Sequence, residues 1–141
     1  MLQMLWPVLL VIVANVFYNI CTKSAPQNIN PYAMLMVTYF VSAIVTGVLF
    51  LCSQSLSSVP EELKKLNWTA LALGFSIIGL ESGYIYLFRA GWKVSAGSVV
   101  CNISLAVVLL FVGYFLYNET ISLKQMLGIA VCAAGLYLIT L

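Results

Sequence analysis

Residues 68–93 read WTALALGFSIIGLESGYIYLFRAGWK. From Trp68 the run carries a single charge, Glu81, before Arg89 closes it. A helix needs about 20 mostly apolar residues to cross the hydrocarbon of a bilayer, with roughly 17 to 25 tolerated. A helix lying on a soluble core would show a charged or polar face along its whole length. This run has no such face, so it reads as a membrane span with an acid inside it.

The rest of the chain extends that reading. Of its 141 residues, 63% are hydrophobic and only 7% are charged, and the mean hydropathy is +1.07. A soluble domain carries roughly a quarter charged residues, because it must still cover itself with polar groups. The whole chain is therefore expected in lipid, as one domain over residues 1–141. A net charge of +2 without a basic run gives no reason to expect nucleic acid as a partner. Cys21, Cys52, Cys101 and Cys132 lie in apolar segments at wide spacing, with no CxxC pair and no histidine in the chain. They read as small apolar residues rather than metal ligands, and no cofactor is expected. The N-terminus lacks a basic n-region and an A-x-A-like cleavage site, so its first segment is expected to be retained.

Five segments qualify as spans: about 4–23, 31–52, 68–89, 95–117 and 123–141. Between the first two lies SAPQNINP, residues 24–31, a loop with two prolines. The connector 53–67, SQSLSSVPEELKKLN, predicts a short interfacial helix, with proline and acids early and lysines late. Trp6, Tyr32, Trp68, Trp92 and Tyr117 fall near span ends, where amphipathic rings favour the interface. Barrel strands alternate in polarity and run about 10 residues, so strands are excluded. The expected class is all-α integral membrane.

Positive charge sets orientation. With five spans, Lys64, Lys65 and Lys124 share the side of the N-terminus, and Lys23, Arg89 and Lys93 lie opposite: three against three. Neither orientation is favoured, by chance or because the chain inserts both ways. In the second case two copies would pair as an antiparallel homodimer of ten helices. Secondary transporters commonly hold substrate near the midplane between inverted repeats, and an odd span number makes a fused copy inverted.

The tail YNETISLKQMLGIAVCAAGLYLITL, residues 117–141, resembles the end of an EamA repeat of the drug/metabolite transporter superfamily. The matching features are Glu119 just after the fourth span, a short polar linker, and Gly128 and Gly135 in the last apolar helix. The helix order, the long second connector and the turn YLFRAGWKVSAGSV, residues 86–99, are similar too. One departure is that the proline often found in the family's fourth helix would fall near Ala106 and is absent. The resemblance implies a repeat whose larger relatives have ten helices in two inverted halves and move small metabolites. Smaller multidrug relatives work as antiparallel dimers with a coupling glutamate in the first helix, where this chain has no acid. A bacterial or archaeal cytoplasmic membrane is the corresponding expectation for location.

Glu81 lies 13 residues after Trp68, well inside its span. An ionised acid at a helix centre costs about 2.5–3.5 kcal/mol on the insertion scale, so it should face protein or water. Arg89 is the nearest cation in sequence, yet eight residues amount to about 80° around a helix and about 12 Å along it. Lys23 or a partner chain is an alternative. Tyr84 and Phe88 stack on the Glu81 side at helical spacing, and a carboxylate beside rings seats a hydrophobic cation by charge and cation–π attraction. Against this stands a neutral, structural Glu81 bonded to a residue such as Asn15, and rings that simply pack.

Other spans add polar residues at similar depth. Asn15 and Asn19 lie in the first; Thr38, Ser42 and Thr46 form a stripe in the second; Ser95, Ser98 and Asn102 form one in the fourth. Hydroxyls of this kind usually serve interhelical contact, whereas the asparagines are harder to bury. Four helices each present a polar face, and Asn15, Asn19, Ser98 and Asn102 are expected to line one substrate- or proton-binding cavity with Glu81, Tyr84 and Phe88. Gly79 and Gly83, and Gly128, Cys132 and Gly135, read as close-packing or dimer surfaces. Lys23 and Arg89 read as anchors that extend to the interface, and Glu119 as an acid serving the linker and the next helix start.

No nucleophile with a base partner, histidine, aspartate or phosphate loop is present, so no enzyme is expected. The leading expectation is a secondary transporter of a small metabolite or organic cation by alternating access, coupled to protons through Glu81. One rival is a lipid-linked substrate flippase subunit in which Lys23 and Arg89 hold a phosphate. The other is a non-transporting assembly subunit of the membrane.

Overall fold

The computed structural model describes residues 2–53 and 59–140, with the side chains of 2–4, 136, 139 and 140 left aside. Among the described residues six helices follow one another: α1 (Leu2–Lys23), α2 (Pro31–Ser53), α3 (Val59–Lys64), α4 (Trp68–Arg89), α5 (Val94–Tyr117) and α6 (Leu123–Thr140). Among the described residues, four helices are long and apolar enough to cross a membrane: Leu5–Lys23, Pro31–Ser53, Trp68–Arg89 and Val94–Tyr117. The apolar run of α6, Leu123–Gly135, is shorter. The chain is an all-α protein.

The helices fall into two compact units. One unit, residues 24–89, contains α2, α3 and α4, and α2 packs on α4. Its core sits where the start of α2 meets the end of α4: Leu35, Ile85 and Phe88 are 4%, 2% and 2% exposed. The loop before α2 closes that end, because the Arg89 guanidinium donates to the carbonyls of Pro26 (3.1 Å) and Ile29 (2.6 Å). In α3, Glu61 and Glu62 occupy the first turn and Lys64 the last. Lys65 adds an ion pair to Glu62 at 2.5 Å.

The other unit joins α1 to α5 and α6, with α5 packed on both. Buried polar residues mark α1: Asn19 is 7% and Thr22 8% exposed. The missing proline near Ala106 has its consequence here, since α5 runs unbroken for 24 residues. It ends at Asn118 in a left-handed conformation (φ 53°), which asparagine tolerates second only to glycine. The Glu119 N–H then turns back to the Gly113 carbonyl at 3.0 Å. The chain leaves α4 through Gly91 at φ +94°, a value L side chains rarely adopt.

Most large apolar side chains point outward; Trp68, Phe75 and Leu123 are 74–78% exposed. In lipid that is where they belong, and it is the polar groups that need partners inside. The hydroxyls obtain them within their own helices: Thr22 bonds Tyr18 O, Thr38 bonds Met34 O, Thr46 bonds Ser42 O, Ser76 bonds Ala72 O and Ser82 bonds Ile78 O, at 2.6–3.1 Å. The threonines of the α2 stripe thus serve their own turns rather than a neighbouring helix.

Candidate functional site

Glu81 sits on α4, half-buried, at the edge of a groove of about 500 Å³ between α2 and α4. The groove takes Tyr39 and Ser42 from α2, and Gly74, Phe75, Ile77 and Ile78 from α4. Spacing explains the α4 wall, because residues 74, 77, 78 and 81 share one face at i, i+3, i+4 and i+7. The Tyr39 hydroxyl shares the groove lining with Glu81 and, though buried, makes no hydrogen bond among the described residues. An acid, a phenol and a serine therefore face a groove otherwise lined by hydrocarbon. That combination can hold a proton, or a cationic group on an apolar body.

The two cations weighed as charge partners for Glu81 make bonds of their own. Arg89 is tied to the loop carbonyls of its own unit, and Lys23 Nζ donates to the Trp92 carbonyl at 2.9 Å. Among the described residues the ion pair present is Lys65–Glu62. Tyr84 and Phe88 lie one turn apart with ring centroids 6.0 Å from each other at 43°. Phe88 is core, and neither ring lines the groove beside Glu81. Tyr39 is the residue that sequence reasoning passed over. Its signal was legible: residues 39, 42 and 46 continue one α2 face at i, i+3 and i+7.

Asn15, Asn19, Ser98 and Asn102 come together in the other unit, along a groove of about 460 Å³ between α1 and α5 that also includes Ser95. Asn19 Nδ2 donates to the Asn15 backbone carbonyl and to Asn15 Oδ1, both at 2.8 Å. Ser98 Oγ donates to Asn19 Oδ1, which ties α5 to α1. The polar residues read from the sequence thus divide into an acidic groove and a neutral one.

The small residues differ among themselves. Side chains built at Gly79, Gly83, Gly128 or Gly135 would meet nothing within 4 Å, so among the described residues of its own unit no backbone approaches Glu81 over the 79/83 pair. Gly128 and Cys132 line a groove of about 230 Å³ between α5 and α6. Glu119 serves α5 instead of α6: its carboxylate folds against Gly113, where a β-carbon would stand 2.5 Å from Oε2. The α6 start is held by Ser122 and Gln125. The Ser122 N–H donates to Gln125 Oε1 at 2.8 Å, and the Gln125 N–H to Ser122 Oγ at 3.3 Å, a capping box readable from S-x-x-Q. No cluster of three or more His, Cys, Asp or Glu side chains that could hold a metal exists among the described residues.

Spans of this length and composition, with polar groups confined to grooves and internal bonds, define an integral multi-pass membrane protein. The profile of the EamA-like transporter family matches residues 3–141. The chain belongs to that family, whose members are membrane transporters of the drug/metabolite type. No curated protein and no solved structure matches it.

Proposed function

We propose that the chain is a secondary transporter of a small metabolite or organic cation, working by alternating access, with Glu81 exchanging a proton for the cationic group. The observation that carries this reading is the α2/α4 groove. It holds an acid with no ion-pair partner among the described residues, facing Tyr39 and Ser42 across apolar walls. An isolated carboxylate is costly in a membrane unless it has a task or a ligand.

In this reading α6 is the fifth span of one inverted-repeat unit, and two copies pair antiparallel to give ten helices in a bacterial or archaeal cytoplasmic membrane. The balanced lysines and arginine on the two sides support dual insertion. The open faces at Gly79, Gly83 and Gly135 support close approach of a second copy.

The flippase alternative needs Lys23 and Arg89 to hold a phosphate. The bonds of Arg89 to Pro26 and Ile29, and of Lys23 to Trp92, weigh against it. Two variants separate the readings. Under the transporter reading Glu81→Gln stops flux and Lys23→Ala is mild; the flippase reading requires the reverse. A thermal-shift screen of the purified protein against cationic, zwitterionic and phosphorylated metabolites identifies the ligand for that assay, since ligands that favour the native state raise its stability.

A further inference from the structure

The neutral groove carries an inference of its own, built on how its amides are turned. A carbonyl oxygen only accepts, so the bond from Asn19 to the Asn15 backbone carbonyl fixes which end of the Asn19 amide is nitrogen. Its oxygen is then the end that receives Ser98 Oγ. The same Asn19 nitrogen faces the Asn15 side chain, so the atom Asn15 offers it is oxygen. One backbone carbonyl therefore orients both amides, and the Asn15 NH2 group is turned away from the network. Asn15 is exposed while Asn19 is buried, so these two donor hydrogens belong to the groove. Asn102, also exposed, lines it from α5 and takes no part in the network. Apart from Ser95 the remaining wall is hydrocarbon, such as Val11 and Val99, and among the described residues no charged side chain lines it.

We propose that the groove between α1 and α5 is a hydrogen-bond-donor site for an uncharged ligand group that carries acceptor oxygens beside apolar atoms, as an ester or a polyol does. Acyl chains cannot satisfy amide hydrogens at membrane depth, and an unsatisfied polar group there is costly. An amine would offer a further donor to a donor, and a phosphate would find no cation in the lining. The chemistry can come from a lipid ester or from a water-borne polyol. The proposal does not rest on the reading of Glu81.

Binding to the full chain in nanodiscs, read without transport, tests the site. The probes are a short-chain monoacylglycerol and an alkylammonium of the same chain length. Wild type binds the monoacylglycerol, and Asn15→Leu or Asn102→Leu weakens it roughly threefold to tenfold, the range of one hydrogen bond between polar groups in a membrane. Alkylammonium binding is unchanged by either variant. Displacement of the monoacylglycerol by free glycerol assigns the site to a water-borne polyol, and failure of glycerol to displace it assigns the site to a lipid; both support the proposal. Asn102→Leu leaves the Asn15–Asn19–Ser98 bonds in place, so equal monoacylglycerol affinity in that variant and wild type overturns the proposal, as does absence of binding to wild type. Glu81→Gln leaves the affinity unaltered, so loss of transport in that variant bears only on the transport reading.

Discussion

Arg89 lies 2.6 Å from the Ile29 carbonyl and 3.1 Å from that of Pro26, so the one cation on α4 is directed at the loop before α2. Its bonds hold that loop over the Leu35–Ile85–Phe88 core, and they leave Glu81 without the nearest charge in sequence. Bonds from a charged donor contribute about 1.5–3 kcal/mol when buried, and these are partly open to solvent. Arg89→Gln is therefore expected to destabilise the protein by at most about 3 kcal/mol, with faster proteolysis of residues 24–30. The thermal transition of purified protein checks this. An unchanged transition would mean that the loop is held by other contacts.

Tyr39 lines the same groove as Glu81, and its buried hydroxyl makes no hydrogen bond among the described residues. Tyr39→Phe keeps the ring and removes only the hydroxyl that shares the groove with the carboxylate. Hydrogen bonds between membrane helices average about 0.6 kcal/mol, which corresponds to roughly a threefold weakening of cation binding. Titration of the ligand found by thermal shift measures it. Complete loss of binding would make Tyr39 a direct ligand, and no change would remove it from the site.

Gly113 and Glu119 offer a sign test. Gly113→Ala pushes a β-carbon toward the Glu119 carboxylate. The clash falls on the far end of a flexible side chain, so the cost is at most about 1 kcal/mol. In a Glu119→Ala background the clash is gone, and the same change should stabilise α5 by up to about 1 kcal/mol, the helix advantage of alanine over glycine. Thermal unfolding of the four proteins gives the cycle. Equal effects in both backgrounds would show that the carboxylate does not rest on Gly113.

The all-α class and its membrane-length helices were legible in the sequence because lipid imposes a simple rule on it. Apolar runs between short polar connectors, such as Trp68–Arg89 after KKLN, leave little besides all-α spans. The site was less legible. Helical periodicity placed Glu81 and Asn15 on faces, but which face meets which depends on packing that no single helix encodes. Hence Asn15 joins Ser98 and Asn19 across α1 and α5, Phe88 enters a core with Leu35, and Tyr39 is the residue opposite Glu81. Glu119 was misread for a local reason. Acids favour helix starts in general, but Ser122 and Gln125 already occupy that role.

Orientation follows from so few charges that one substitution should move it. Lys124→Gln changes the balance from three against three to two against three, favouring a cytoplasmic C-terminus under the positive-inside rule. A C-terminal reporter active on either side of the membrane should give signal from both sides in wild type and mainly from the cytoplasm in the variant. Signal from a single side in wild type removes the antiparallel homodimer.

The most direct measurement is ligand flux into proteoliposomes carrying wild type or Glu81→Gln, matched for insertion and helicity. If the lone acid of α4 is where the cargo's positive charge or its exchanged proton sits, the amide variant stays folded and moves almost nothing. Wild-type flux from Glu81→Gln would contradict that, and would return this carboxylate to a structural role.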